Sequence, residues 1–142
     1  VTRLLLIALV LLFTGCTPRA QQLAVAGVEE AMRTNNATVA ALTGLQEKAR
    51  FVRKAALMAA AKTAGSYDEG KKLLDEIDAA YQPVFDAFRE AERISEALAV
   101  GLEIARADVK RGEIPNMVDL FTLAMMLQGS YSKLAARLSE AL

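Results

Sequence analysis

The sequence predicts an all-α protein, an elongated antiparallel three-helix bundle with coiled-coil-like packing, and three observations carry that reading. Apolar residues recur at three-and-four spacing over long stretches, the pattern that gathers them on one helical face. Ala and Leu dominate the apolar set, with only five Phe, three Tyr and no Trp, as suits helices packed closely side by side. Finally, two short stretches rich in turn residues, Gly65-Ser66 and Gly112 to Asn116, divide the periodic part into three, and short connections make sequential helices antiparallel neighbours.

The first helix is predicted over roughly residues 20–64. Its apolar stripe runs through Val25, Val28, Met32, Val39, Leu42, Leu45, Ala49, Val52 and Ala56. Thr34-Asn35-Asn36-Ala37-Thr38 is its weak point, because poor helix formers coincide there and Asn35 falls on the stripe. A kink or local break is expected at that place. Gly65 suits a C-terminal cap, and Ser66 with Glu69 has capping-box spacing.

The second helix is predicted over about 67–111, with Leu74, Ile77, Tyr81, Val84, Phe88, Ala91, Ile94, Leu98, Leu102, Ala105 and Val109 on one stripe. Pro83 lies inside it. Proline removes one backbone donor and crowds the preceding turn, so a kink is expected near Tyr81. Gly112 closes the helix, and Asn116 is the N-cap expected for the third, with Asp119 in the first turn favoured by the helix dipole. That third helix runs to about 140 on Leu120, Ala124, Leu127, Tyr131, Leu134, Leu138 and Ala141, with Gly129-Ser130 read inside it. A break at Gly129, giving a fourth short helix, is the alternative.

Composition excludes several classes of function. Seventeen Lys plus Arg balance seventeen Asp plus Glu, so no overall field draws the chain to nucleic acid. There is no His, which removes the commonest general base and metal ligand. Carboxylates for acid-base work could be drawn from Asp75, Glu76 and Asp78 or from Glu90, Glu92 and Glu96. No nucleophile-with-base constellation or phosphate loop accompanies them, so they read as solvated helix faces rather than catalytic groups. The basic group Lys48, Arg50, Arg53 and Lys54 could bind phosphate, a lipid headgroup or peptidoglycan, but acidic neighbours at the start of the second helix fit it better as ion-pair partners. The expectation is therefore a non-enzyme with no cofactor and no metal.

The N-terminal stretch is of another kind. Arg3 supplies a positive start, Leu4 to Phe13 an apolar run of ten residues, and Thr14-Gly15 a small-residue step before Cys16, the only cysteine of the chain. This is the order of a secretory signal, and the run falls short of the ~20 residues that a membrane-spanning helix needs. An uncleaved anchor, a plain secretory signal and a buried core helix are the other readings of the run.

Phe13-Thr14-Gly15-Cys16 resembles the lipobox of bacterial lipoproteins, with Phe13 in place of the usual Leu. The resemblance covers only the first sixteen residues. It implies cleavage between Gly15 and Cys16, diacylglyceryl transfer to the Cys16 thiol, and in many bacteria palmitate or another acyl chain on the new terminus. It further implies residence on the periplasmic side of a cell membrane, with the outer membrane favoured because Thr17 is not Asp. The resulting plan is a signal peptide at 1–15, a lipidated Cys and tether at 16–22, and a helical bundle at 23–142.

One feature of the bundle bears on function. Leu120, Phe121, Leu123, Met125 and Met126 make the third helix apolar nearly all round, whereas a helix in a three-helix bundle buries one stripe. Either this helix is central, or wrapped by a kinked second helix, or these five residues form an interaction surface for a second copy or an envelope protein. The functional expectation is a membrane-anchored structural or protein-interaction module. The runners-up are an accessory lipoprotein of a phage or mobile element acting on the host envelope, and a carrier of lipid or a small molecule, which the Ala-rich faces disfavour.

Overall fold

The computed structural model describes residues 18–141, which form three helices, α1 (Pro18–Thr63), α2 (Tyr67–Arg111) and α3 (Met117–Ala141). No strand occurs among the described residues. The protein is all-α, a three-helix bundle. The signal, cleavage and lipidation residues read from the sequence, Gly15 and Cys16 included, lie outside the described residues.

Heptad spacing is the common rule of burial. On α2 the buried residues Tyr81, Val84, Phe88, Ala91, Ser95, Leu98, Leu102, Ala105 and Val109 alternate steps of three and four without a slip, the 3.5-residue average of a coiled-coil seam. α1 buries Val28, Asn35, Leu42 and Ala49, seven apart, and α3 buries Leu120, Leu127 and Leu134, also seven apart. α2 thus offers two seam positions per heptad, and Ile94 and Ala87 widen its buried face further. The central helix is α2, not α3. Val39, Leu45 and Val52, read on the α1 stripe, are instead exposed, because α1 meets the core mainly through the Val28, Asn35, Leu42 and Ala49 position of its heptad, with Ala24 and Ala60 buried towards its ends.

The contacts divide into two compact units. The first comprises residues 18–39 and 93–128, the second residues 40–92 and 129–141. Each draws on all three helices.

In the first unit, Val28, Leu98, Leu102, Ala105, Leu120 and Leu127 are among the buried residues. Cross-helix bonds fix its α1 and α2 segments as antiparallel: Gln21 Nε2 donates to the Val109 carbonyl at 2.8 Å, Arg106 pairs with Glu29 at 3.2 Å, and Asn35 Nδ2 donates to the Ser95 carbonyl at 3.0 Å. As the α1 number rises, the α2 number falls. Gly101 lets α3 approach closely, since a Cβ there would sit 2.9 Å from Leu120 Cδ2. In the second unit, Leu42, Ala49, Val84, Phe88, Ala91 and Leu134 form one apolar cluster flanked by Phe85, Tyr131 and Leu138. Arg53 Nη2 reaches Asp78 at 2.6 Å, and Lys133 reaches Glu90 at 3.5 Å.

The two expected weak points, 34–38 and Pro83, are helical, and so is Gly129, as read from the spacing. Through 34–38, the Thr34 hydroxyl donates to the Glu30 carbonyl at 2.9 Å, and the Asn35 amide is engaged by Ser95. Tertiary contact thus overrides low propensity. Pro83 is exposed, so the carbonyl it leaves without a donor faces water and α2 continues. Gly129 lies in open space inside α3, which does not break there. Residues 18–22, read as part of a tether, already belong to α1. Pro18 is suited to a first helical position, and Gln21 is held by the end of α2.

The two turns differ in construction. At 64–66 the Glu69 carboxylate accepts from the Gly65 N–H at 2.9 Å, while the Glu69 N–H donates to Ser66 Oγ at 3.2 Å. This is the expected capping box with the carboxylate reaching one residue further back. Gly65 does not take the left-handed conformation expected of a cap glycine, because Ser66 and Glu69 close the turn without it. Gly112 does, at φ 78°. Its N–H donates to the Val109 carbonyl and that of Glu113 to the Asp108 carbonyl, at 3.0 and 2.9 Å, which together make a Schellman closure. The Asp119 N–H then donates to Asn116 Oδ1 at 3.3 Å, capping α3 as expected.

Candidate functional site

The five α3 residues singled out from the sequence separate by burial. Leu120 is 6% exposed and belongs to the core of the first unit, so it leaves the surface set. Its position on the heptad with Leu127 explains this. Leu123 is half-buried, lying 3.8 Å from where a Cβ at Gly101 would sit. Phe121, Met125 and Met126 are 42%, 48% and 48% exposed. Val118 precedes Phe121 by three residues and Met125 by seven, so these three share one helical face. Val100 and Ile104, four apart on α2 of the same unit, are also exposed. An apolar surface is therefore present on this unit. It is made of long, adaptable side chains, and methionine in particular can reshape to fit a partner.

Two features of that surface escaped the sequence reading. Ile114 and Val118, at the connection between α2 and α3, are 87% and 73% exposed. Periodicity overlooks them because Ile114 lies outside a helix and Val118 is off the stripe that Leu120 and Leu127 define. The remaining signal was compositional: an isoleucine between Glu113 and Pro115 in a turn, where no burial partner is at hand.

Of the charged candidates, Arg53, Asp78, Glu76 and Glu90 enter ion pairs. Of the basic group on α1 and the acidic group on α2, Arg53 and Asp78 are brought together, with both Nε and Nη2 donating to one carboxylate oxygen. Glu76 pairs with Lys72 one turn away, and Glu90 with Lys133. Asp86 pairs with Arg89, as the spacing predicts. Glu29 meets Arg106 across the helices rather than Arg33 four residues on, and Arg33 pairs with Glu30. The pairings fit solvated, register-setting faces. No group of three or more metal-ligating side chains occurs among the described residues.

The interior of the first unit holds one polar step. Asn35 is 3% exposed and Ser95 is fully buried. Beyond the bond from Asn35 Nδ2 to the Ser95 carbonyl, Asn35 Oδ1 and Ser95 Oγ have no protein partner among the described residues. One polar residue in a seam costs stability and discriminates against slipped registers. This pair is read as structural.

Comparison with protein-family models, with curated proteins and with solved structures gave no match to this chain.

Proposed function

We propose that the chain is a lipid-anchored protein of the cell envelope, held on the periplasmic side by acyl chains on Cys16, with the outer membrane favoured. Its helical bundle acts as a non-enzymatic structural or protein-interaction module. The observation that carries the second half is the exposure of Phe121, Met125 and Met126 on α3, next to the buried seam that uses Leu120 and Leu127. The first half rests on Phe13-Thr14-Gly15-Cys16 at the end of a ten-residue apolar run. No helix among the described residues is long and apolar enough to cross a membrane, so a bundle of this kind needs another means of attachment. Two or three acyl chains supply it, whereas one holds only marginally.

Two experiments test the two halves. Radiolabelled palmitate should enter the wild type and not Cys16→Ala, and only the wild type should run at the mass of the chain cleaved after Gly15. An unlabelled wild type, or a variant that takes up the same label, would sink the anchor. For the surface, Met125→Glu with Met126→Glu is the informative pair, since Leu123 leans toward Gly101 and would disturb the fold. The double variant should lose the oligomer, or the envelope protein, that the wild type carries in light scattering and cross-linked pull-down. Unchanged mass and unchanged cross-linked species would overturn the surface.

A further inference from the structure

The end of the first unit that holds the start of α1 also holds the α2–α3 turn. Gln21 Nε2 donates to the Val109 carbonyl at 2.8 Å and to the Lys110 carbonyl at 3.1 Å, so it caps the last turn of α2 from the first turn of α1. Cys16 precedes Pro18 by two residues, a reach of at most about 7 Å along the chain. An acylated Cys16 therefore brings this end, and the turn at 112–116 with it, to the bilayer surface.

That turn displays Ile114 and, one helical turn later, Val118, the two most exposed aliphatic side chains of the unit. Neither is displayed by fraying. The Schellman closure at Gly112 fixes the turn from one side, the Asn116 cap from the other, and Pro115 is buried beneath it. A rigid turn loses little conformational freedom when its apolar tip enters an apolar medium.

We propose that Ile114 and Val118 insert into the interfacial region of the membrane that carries the Cys16 anchor, giving the bundle a second, non-covalent membrane contact. The proposal rests on the anchor reading for the nearness of Cys16 to lipid.

Charge at this end is balanced: Arg19, Lys110 and Arg111 against Asp108, Glu113 and Asp119. Arg111 is taken up locally, by Asp108 at 2.5 Å and Glu113 at 3.1 Å. The contact is therefore one of apolar insertion, of the shallow kind made by interfacial segments, and owes little to anionic headgroups. Phe121 and Met125 continue the Val118 face by steps of three and four. They lie up to about 10 Å further along α3, at the edge of the depth such segments reach.

The chain has no Trp, so a single introduced Trp reports its own surroundings. Full-length Ile114→Trp, Val118→Trp and Val39→Trp are expressed in a bacterial envelope with labelled palmitate. The products are then purified and reconstituted into phosphatidylcholine vesicles with brominated chains. Val39 is exposed on the same unit, 21 residues from Pro18, about 30 Å along α1.

The expected result is blue-shifted, quenched emission at positions 114 and 118, water-like emission at 39, and no gain on adding phosphatidylglycerol. Unquenched Trp at both 114 and 118 overturns the insertion, and so does equal quenching at 39. A blue shift without quenching means that a protein covers the turn, and overturns it as well. The palmitate label is scored separately: label without quenching leaves the anchor and removes the insertion, whereas quenching without label leaves the insertion and removes the anchor.

Discussion

At the scale of single residues, the buried step of Asn35 and Ser95 is the most consequential choice in the first unit. The pair leaves Asn35 Oδ1 and Ser95 Oγ buried without a protein partner, and a buried polar atom that makes no hydrogen bond carries its desolvation cost uncompensated. The Ser95 carbonyl keeps its helical partner when the Asn35 amide is removed. Asn35→Leu is therefore expected to fall between neutral and about 2 kcal/mol more stable, read as the urea midpoint at unchanged slope. A loss of more than about 1 kcal/mol would mean that the single bond to Ser95 outweighs the polar burial. Pinning of register would show as a second population in the variant, seen as doubled amide resonances.

At the scale of elements, glycines inside helices discriminate packing from propensity. Gly44 in α1 has open space around the position of a Cβ, so Gly44→Ala should stabilise by about 0.8–1 kcal/mol, the ordinary helix-interior difference. Gly101 in α2 is the opposite case. A Cβ there lies 2.9 Å from Leu120 Cδ2, and Leu120 is buried and has little room to yield. Gly101→Val adds two further carbons at that contact and should cost about 1–3 kcal/mol. Thermal melts of the two variants should move in opposite directions. Equal shifts of one sign would show that the α2–α3 contact is looser than the geometry gives. The helices themselves were legible element by element, because three-and-four spacing, Gly112, Asn116 and the Ser66/Glu69 pair each act locally. The helix runs through Gly129 as its spacing predicts, whereas the local break expected at 34–38 is absent, because contacts that a sequence window does not contain supply continuity there.

At the scale of the whole molecule, each unit is completed by a piece of α3. The second unit takes Leu134 into its apolar cluster, with Tyr131 and Leu138 against it, and Phe88 at its centre is fully buried. Removing residues 129–142 strips that wall and uncovers Leu42, Val84 and Phe88. Limited proteolysis of the shortened chain should then cut rapidly between residues 40 and 92, where the intact protein resists. Resistance equal to the wild type would show that the α1 and α2 segments of this unit hold without α3. The candidate surface illustrates the same dependence. From the sequence, Leu120 stood both on the stripe of α3 and in the five-residue apolar surface; in the fold it is core, and Phe121 beside it is surface.

The sequence by itself determined that this chain forms three helices, which turn residues part them and how α2 and α3 are capped, and it places Cys16 at the end of an apolar run in a tetrapeptide that resembles a lipobox. These follow from local chemistry: spacing, caps, turn residues and the length of one apolar run. Tertiary structure alone decided which helix is central, which apolar residues are left outside, and where Glu29 and Asn35 find partners. It also tied the start of α1 to the end of α2 through Gln21, beside the turn that holds out Ile114. Burial is a property of neighbours distant in sequence, and a helical wheel shows a stripe without showing how much of it another helix will cover.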